Sequence, residues 1–215
     1  MNRFLASLLF VLYASIASAQ GVDVALVNLV SGDATFTPLS GSPGKVQAFM
    51  KLRDGDRIDV PAGAQVRVVF FEGARQERWT GPAGFRAGRS AGEPISGKAA
   101  DVATLPAGAS QRIAQIPQLV QIAKLGGVQL RGMTPAQKAS VDHQSTVNAA
   151  RATYEQMRRD LPADDITPEL YFYAVLYEYL RYDDMKAVVD EMRRKQPDNE
   201  QVKALESWLL SRTAK

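Results

Sequence analysis

The sequence contains one histidine, His143, which is therefore the first candidate for acid–base or metal chemistry. It belongs to an apolar series whose spacings of three and four residues are typical of one helix face. The series consists of His143, Val147, Ala150, Tyr154, Met157 and Leu161. Because this pattern indicates helix packing, we predict a structural role for His143. A hydrolase that uses His143 is the least favoured functional alternative.

Carboxylates give a second possible site. Asp54, Asp56 and Asp59 are close enough in sequence to suggest calcium ligands, but the rest of an EF-hand loop, including its late glutamate, is missing. Asp54-Gly55-Asp56 is typical of a turn instead. The chain has no cysteine, which excludes disulfides, thiolate zinc sites and iron–sulfur clusters. We therefore predict a protein that is not an enzyme and has no metal ion or cofactor.

Aromatic residues are concentrated between Tyr171 and Tyr182. Successive helical residues are about 100° apart, so these side chains cover more than one face of a helix. One interpretation is that they pack against neighbouring helices. The alternative is an exposed platform that binds a peptide or a glycan, and exposure of Trp79 and Tyr173 would favour the glycan. The candidate partner-binding residues are Tyr171, Tyr173, Tyr177 and Trp79.

Residues 1–19 predict a secretory signal peptide. Asn2 and Arg3 precede an apolar run, from Phe4 to Ala17, that is too short for a comfortable membrane span. Ala17-Ser18-Ala19 matches the small-residue cleavage motif. We expect a mature periplasmic or secreted protein that starts near Gln20 and has no membrane anchor. An uncleaved N-terminal anchor is the alternative.

Residues 20–107 predict an all-β domain of short strands separated by turn residues. In the segment 65–70, Val66, Val68 and Phe70 alternate with other residues, as in a strand with one buried face. The segment 22–28 is apolar on both faces in its middle, which indicates a strand buried on both sides. Further strands are predicted at residues 34–39, 46–50, 57–60, 76–80 and 85–87, with another possible at residues 100–105 of a Gly- and Pro-rich loop.

The order of these strands and turns resembles the FecR-like domain, an all-β module of bacterial envelope proteins. The matching residues are Leu52, Gly55, Asp56, Ile58, Val66, Val68, Phe70 and Gly73. The chain has Glu72-Gly73-Ala74 where the family usually has Asp-Gly-Ser, and it lacks the membrane helix of the family's sigma-factor regulators. The resemblance implies a periplasmic β module and argues against transmembrane signalling by this chain.

The second half of the chain predicts helices. Residues 108–132 form a linking helix, interrupted by Pro117, and a return segment with a strand at Val128–Leu130. Residues 133–215 form a helical domain in which Thr134-Pro135 and Thr167-Pro168 mark helix starts. The turn between the next two helices is predicted at residues 182–184, and the last helix at residues 200–211.

The predicted helix pair from Pro168 to Asn199 resembles one degenerate tetratricopeptide repeat. The resemblance rests on Phe172, Leu176, Tyr182, Met185, Val189, Met192 and Pro197. Tyr173 departs from the repeat, because it is bulky where the repeat prefers glycine or alanine. A lone repeat cannot bury both its faces, so the flanking helices are expected to complete the stack.

The net charge of +3 is small and is not concentrated in one basic block, which argues against nucleic-acid binding. The sequence therefore predicts an α+β protein in two segregated parts, a β domain followed by a small helical domain. The predicted function is a non-enzymatic protein-interaction or scaffold module of the bacterial envelope, with envelope proteins as partners. The alternative is a module that binds peptidoglycan or another polysaccharide.

Overall fold

The computed structural model of the 215-residue chain describes residues 21–125 and 143–213, without the side chain of His143. The predicted signal peptide, the return strand Val128–Leu130 and the helix start at Thr134 lie outside the described residues. In the described ranges, no helix is long and apolar enough to cross a membrane.

The described part of the first half forms ten strands in two antiparallel sheets. The strands are β1 (Asp23–Ser31), β2 (Thr35–Thr37), β3 (Gly44–Lys45), β4 (Lys51–Arg53), β5 (Arg57–Val60), β6 (Gln65–Phe70), β7 (Arg75–Thr80), β8 (Ala83–Ala87), β9 (Gly92–Gly97) and β10 (Asp101–Thr104). The central sheet has the strand order β10-β7-β6-β1-β4, and the outer sheet has the order β3-β2-β5-β8-β9. The central sheet is so named because both its faces are covered.

One face of the central sheet packs against the outer sheet. Val27, Val68 and Phe70 of the central sheet join Ile58 and Phe85 of the outer sheet in one apolar cluster, and all five are fully buried. Alternate residues of a strand point to opposite faces, so the period-two pattern of β6 supplies this core. The prediction that β1 is buried on both sides is confirmed by the burial of its central residues.

Three predictions about the strands need correction. β6 is buried on both faces, not one, because helices cover the face that carries Arg67 and Val69. Residues 46–50 are not a strand: the chain turns there, and Phe49 takes a φ of 63°. β9 is a strand that the sequence analysis did not predict, because its glycines and Pro94 are typical of a loop. The possible strand at residues 100–105 is present as β10.

The described part of the second half forms six helices. They are α1 (Ala109–Ile113), α2 (Ile116–Lys124), α3 (His143–Asp160), α4 (Thr167–Glu178), α5 (Tyr182–Lys195) and α6 (Glu200–Thr213). Pro117 lies in the first turn of α2 and so divides the linking segment into two helices. On the predicted apolar face of α3, Val147, Ala150 and Met157 are buried.

The predicted turn at residues 182–184 is wrong, because α5 already begins at Tyr182. Asp183 and Asp184 lie in its first turn, where carboxylates interact favourably with the helix dipole. The connection from α4 is instead made around Leu180, whose φ is 56°. Only a short connection is left, so α4 and α5 pack directly against each other.

The helices pack on the free face of the central sheet and form a third layer. Leu26 of β1, Val69 of β6 and Leu105 after β10 belong to the same apolar cluster as the helical core. The predicted α+β architecture, with strands first and helices second, is present. The two parts share the apolar core between the central sheet and the helices, and this core brings together residues from distant positions in the sequence.

Candidate functional site

Trp79, a candidate platform residue, is buried between the two sheets with 1% of its surface exposed. Its ring stacks on Phe85 with the centroids 4.4 Å apart, and its Nε1 donates a hydrogen bond of 2.9 Å to Glu77. The Glu77 carboxylate also accepts a hydrogen bond from the backbone N–H of Gly92 at 3.1 Å. Trp79 therefore stabilises the sandwich and lacks the exposure that a glycan platform requires.

The tyrosines of α4 are also largely inaccessible. Tyr173 is fully buried and Tyr171 is 8% exposed, so both belong to the helical core. Burial, followed by the effect of the neighbouring Tyr177, raises the pKa of Tyr173. Tyr177 is half-buried, with its ring centroid 5.6 Å from that of Trp208. The alternative of an exposed Tyr173–Tyr177 pair thus fails at Tyr173, whereas partner contact through Tyr177 stays a prediction.

The candidate calcium residues Asp56 and Asp59 bind groups of the protein itself. His143 begins α3, and its side chain lies outside the described residues. Asp56 accepts a hydrogen bond of 2.8 Å from the backbone N–H of Arg53, which closes the predicted turn, and Gly55 takes a φ of 91° there. Asp59 forms an ion pair of 2.9 Å with Arg57. Over the described ranges, no group of three or more His, Cys, Asp or Glu residues could hold a metal ion.

The central sheet and the start of α4 meet through a buried polar cluster. Asp165 lies at its centre: its Oδ2 accepts a hydrogen bond of 2.5 Å from Gln76 Nε2, and its Oδ1 accepts one of 2.8 Å from the Thr167 N–H. The Thr167 hydroxyl accepts a hydrogen bond from Asn28 Nδ2 and lies 2.5 Å from Gln76 Oε1. These four side chains are almost completely buried and fix the first turn of α4 on the sheet.

Arg67 of β6 adds a positive charge to this polar cluster and is 1% exposed. Its Nη2 donates a hydrogen bond of 3.1 Å to Asp164, and its Nη1 lies 3.5 Å from Asp165 Oδ1. Burial acts to raise the pKa of Asp164, but the charge of Arg67 and its hydrogen bond outweigh burial and lower it. A buried guanidinium needs such partners, so the two aspartates and Arg67 hold the loop before α4.

A second ionic group joins three helices around Glu169, which is fully buried on α4. Its carboxylate accepts hydrogen bonds from Lys195 at 2.8 Å, Tyr154 at 3.3 Å and Arg158 at 3.4 Å. Burial and then the negative charge of Glu169 raise the pKa of Tyr154 to about 12. Each charge in this group has an opposite partner, which favours a structural role.

An open cleft of about 600 Å³ lies where the end of β1 meets the connection between α5 and α6. Its walls are residues 29–31, residues 46–48 and residues 195–201. Four carboxamide side chains line it, and the lining described by the structure contains no aromatic residue. The carboxamides belong to Gln47, Gln196, Asn199 and Gln201.

Polar atoms on one wall of the cleft are partly used within the protein. Gln196 Nε2 donates a hydrogen bond of 3.2 Å to the backbone oxygen of Asn28, and Gln196 Oε1 accepts one of 2.7 Å from Asn199 Nδ2. Gln201 Oε1 is shielded from solvent and has no hydrogen-bond partner among the described residues. One wall of the cleft is therefore already held in place, and Gln201 in its lining carries a buried acceptor without a partner among the described residues.

Sequence analysis did not find this cleft, because its walls come from residues more than 140 positions apart. The one available signal was the Pro197-Asp198-Asn199 break flanked by Gln196 and Gln201. A polar helix connection of this kind is usually a solvated loop. Only the packing of α5 and α6 on the sheet places it opposite β1.

Comparisons of the chain with models of protein families, with curated proteins and with solved structures found no match. The resemblances to the FecR-like domain and to the tetratricopeptide repeat therefore stay predictions based on the residues that carry them.

Proposed function

We propose that this protein is a non-enzymatic interaction module of the bacterial envelope and that it binds a partner protein in the cleft between β1 and the α5–α6 connection. The cleft carries the proposal. It combines apolar contacts from Leu29, Val46 and Pro197 with the carboxamides on its walls. An apolar surface with a few positioned polar groups is the usual composition of a binding site.

The walls of the cleft belong to different layers, and they are held together before any partner binds. The hydrogen bond from Gln196 to the Asn28 backbone joins the helical wall to the sheet directly. Thr167 joins the neighbouring helix to the same residue of β1. Such preorganisation reduces the entropic cost of binding, which favours recognition by this surface.

The remaining parts of the proposal concern family and location. The signal-like residues 1–19 support export, and the FecR-like pattern supports a periplasmic β module. In the tetratricopeptide-like interpretation, α4 and α5 are the helix pair. The fully buried Tyr173 then occupies the close helix contact where the repeat prefers a small residue.

The test is an affinity pull-down from envelope extract with the chain from Gln20 onward. Gln47→Trp places a large ring at the cleft from an exposed position, so it should block a partner without disturbing the core. Gln121→Trp is the matched control, because Gln121 is exposed on α2 and is not part of the cleft lining. We expect a partner that is retained by the wild type and by the control but lost with Gln47→Trp.

Two outcomes would contradict the proposal. A partner captured equally by all three proteins would place the binding surface elsewhere. Sedimentation with peptidoglycan that depends on Gln47, with no protein partner, would favour the polysaccharide alternative. We expect no such sedimentation, because Trp79 and Tyr173 are buried and aromatic stacking is unavailable in the cleft.

A further inference from the structure

The floor of the cleft includes an unpaired stretch of strand edge. β1 pairs with β6 along residues 25–31, but it pairs with β4 only from Asp23 to Leu26. Val27 makes the last backbone hydrogen bonds on the β4 side, to Met50 and Phe49. From Leu29 to Ser31, β1 therefore has a strand neighbour on one side only, as far as the structure describes the chain. The other side faces the cleft.

A side chain of the helical wall already binds the backbone of β1 next to the open stretch. The backbone oxygen of Asn28, just before the open stretch, accepts its hydrogen bond from the Gln196 carboxamide. A carboxamide carries the same donor and acceptor groups as a peptide bond. The contact shows that a backbone oxygen directly before this edge accepts an amide hydrogen bond from a residue of the cleft lining.

We propose that the cleft binds a partner segment in extended conformation, which adds as a strand beside Leu29–Ser31. Gln201 on the opposite wall carries an acceptor, Oε1, that has no donor among the described residues, and we infer that its side chain rotates to bind the second edge of such a segment. A backbone N–H is the matching group. The inference rests on the proposed function and names the kind of partner surface that the cleft accepts.

The dimensions and charge of the cleft suit a short peptide. Three residues of open edge extend about 10 Å, which matches a segment of three to four extended residues. The Lys195 ammonium is neutralised by Glu169 at 2.8 Å, and Asp198 is an exposed carboxylate on the rim. The occupant is therefore an extended, apolar segment with a basic residue near Asp198. Strand addition of this type is a general mode of peptide recognition.

The test uses the chain from Gln20 onward as bait for a random peptide library displayed on phage. Peptides are retained if they bind the wild type and Gln121→Trp but bind Gln47→Trp at least about tenfold more weakly, a difference of about 1.4 kcal/mol. Each retained peptide is then resynthesised with one backbone amide N-methylated at a time, which removes one hydrogen-bond donor without changing the side chain.

We expect an alternating response to N-methylation. In a strand, every second backbone amide points to the same neighbour, so methylation should weaken binding by about tenfold at alternate residues near β1. The substitution Gln201→Leu in the protein should weaken binding of the unmethylated peptide. It should have less effect on binding of a peptide that is already methylated at the amide facing Gln201. A lysine or arginine in the selected peptides should contribute to binding only while Asp198 is present.

Other outcomes overturn the inference. Failure to select any peptide that depends on Gln47 would reject it, as would a methylation response without alternation. If a protein partner is nevertheless lost from Gln47→Trp in the pull-down, the proposed function stands and only the strand geometry is wrong. If neither experiment depends on Gln47, both proposals fail.

Discussion

The two faces of the central sheet are built from the same strands but use different chemistry. Toward the outer sheet, Val68 and Phe70 pack in an apolar core, and the buried Glu77 there binds only groups of the two sheets. Toward the helices, Leu26 and Val69 pack in the helical core, but Asn28, Arg67 and Gln76 are buried beside them. These three side chains bind Asp164, Asp165 and Thr167 at the start of α4. The comparison shows that complete burial does not by itself require an apolar interface.

The difference has a physical consequence for the positions of the layers. Apolar burial is favourable but has no direction, so it holds sheets together without defining a unique placement of each side chain. A buried polar group requires a partner at a specific distance and angle. The polar face therefore fixes the helices on the sheet in one orientation, and the walls of the cleft depend on that orientation.

The largest expected effect comes from breaking the polar face at Asp165. Asp165→Ala removes the acceptor for Gln76 and Thr167 and one of the two carboxylates near Arg67. Truncating a buried charged partner in this way costs about 3–5 kcal/mol. The free energy of unfolding, measured by urea denaturation monitored by circular dichroism, should fall by that amount.

Asp164→Ala is the matched control, because Asp164 also binds Arg67 but its side chain is 62% exposed. Loss of Asp164 leaves the buried Arg67 Nη2 without this acceptor but keeps Asp165 beside Arg67, so this variant should lose about 1–3 kcal/mol, less than Asp165→Ala. Equal losses in the free energy of unfolding for the two variants would contradict the idea that burial of Asp165 makes its contacts more stabilising than those of Asp164.

A smaller effect is expected from two exchanges of nearly equal shape. Thr167→Val removes a hydroxyl from the polar face, and Val68→Thr adds one to the apolar face, where Val68 is fully buried. Each leaves buried polar atoms without partners, so each should cost about 1–3 kcal/mol in the free energy of unfolding. If Thr167→Val were neutral while Val68→Thr was costly, packing alone would hold the helices.

The apolar face was largely predictable from the sequence, whereas the polar face was not. In β6, the spacing of Val66, Val68 and Phe70 was enough to identify the side that meets the outer sheet. The prediction of one buried face left Arg67 on the other side of β6, where an isolated arginine is normally exposed. Its burial depends on Asp164 and Asp165, which lie 97 and 98 residues further along the chain, and no local pattern joins such distant positions.

The cleft was hidden from the sequence for the same reason, and the aromatic residues gave a misleading signal. Tyr173 and Trp79 suggested a platform because large aromatics often serve in recognition. Packing decides between core and surface, and here it places both in the core. The signal for the cleft was weaker: carboxamides at Gln196 and Gln201 lie around a helix break, and nothing in the sequence indicates that this break lies opposite β1.

High pH should destabilise the helical layer selectively through its tyrosines, since every tyrosine from residue 21 onward lies in the helical part. Burial and the charge of Glu169 raise the pKa of Tyr154 to about 12 from its ordinary value of 10.0. A raised pKa in the folded state means that the neutral hydroxyl is favoured by folding. This contribution to stability is complete below pH 10 and is lost as the pH rises toward 12.

We therefore expect the free energy of unfolding to decrease between about pH 10 and pH 12, and to decrease less steeply in Tyr154→Phe. Burial raises the pKa of Tyr173 and Tyr177 as well, so the variant should remove only part of the slope. Urea denaturation at a series of fixed pH values measures how the free energy of unfolding depends on pH. Identical slopes in the two proteins would contradict the prediction. They would mean that the neutral Tyr154 hydroxyl does not contribute to stability and that only Lys195 and Arg158 hold Glu169.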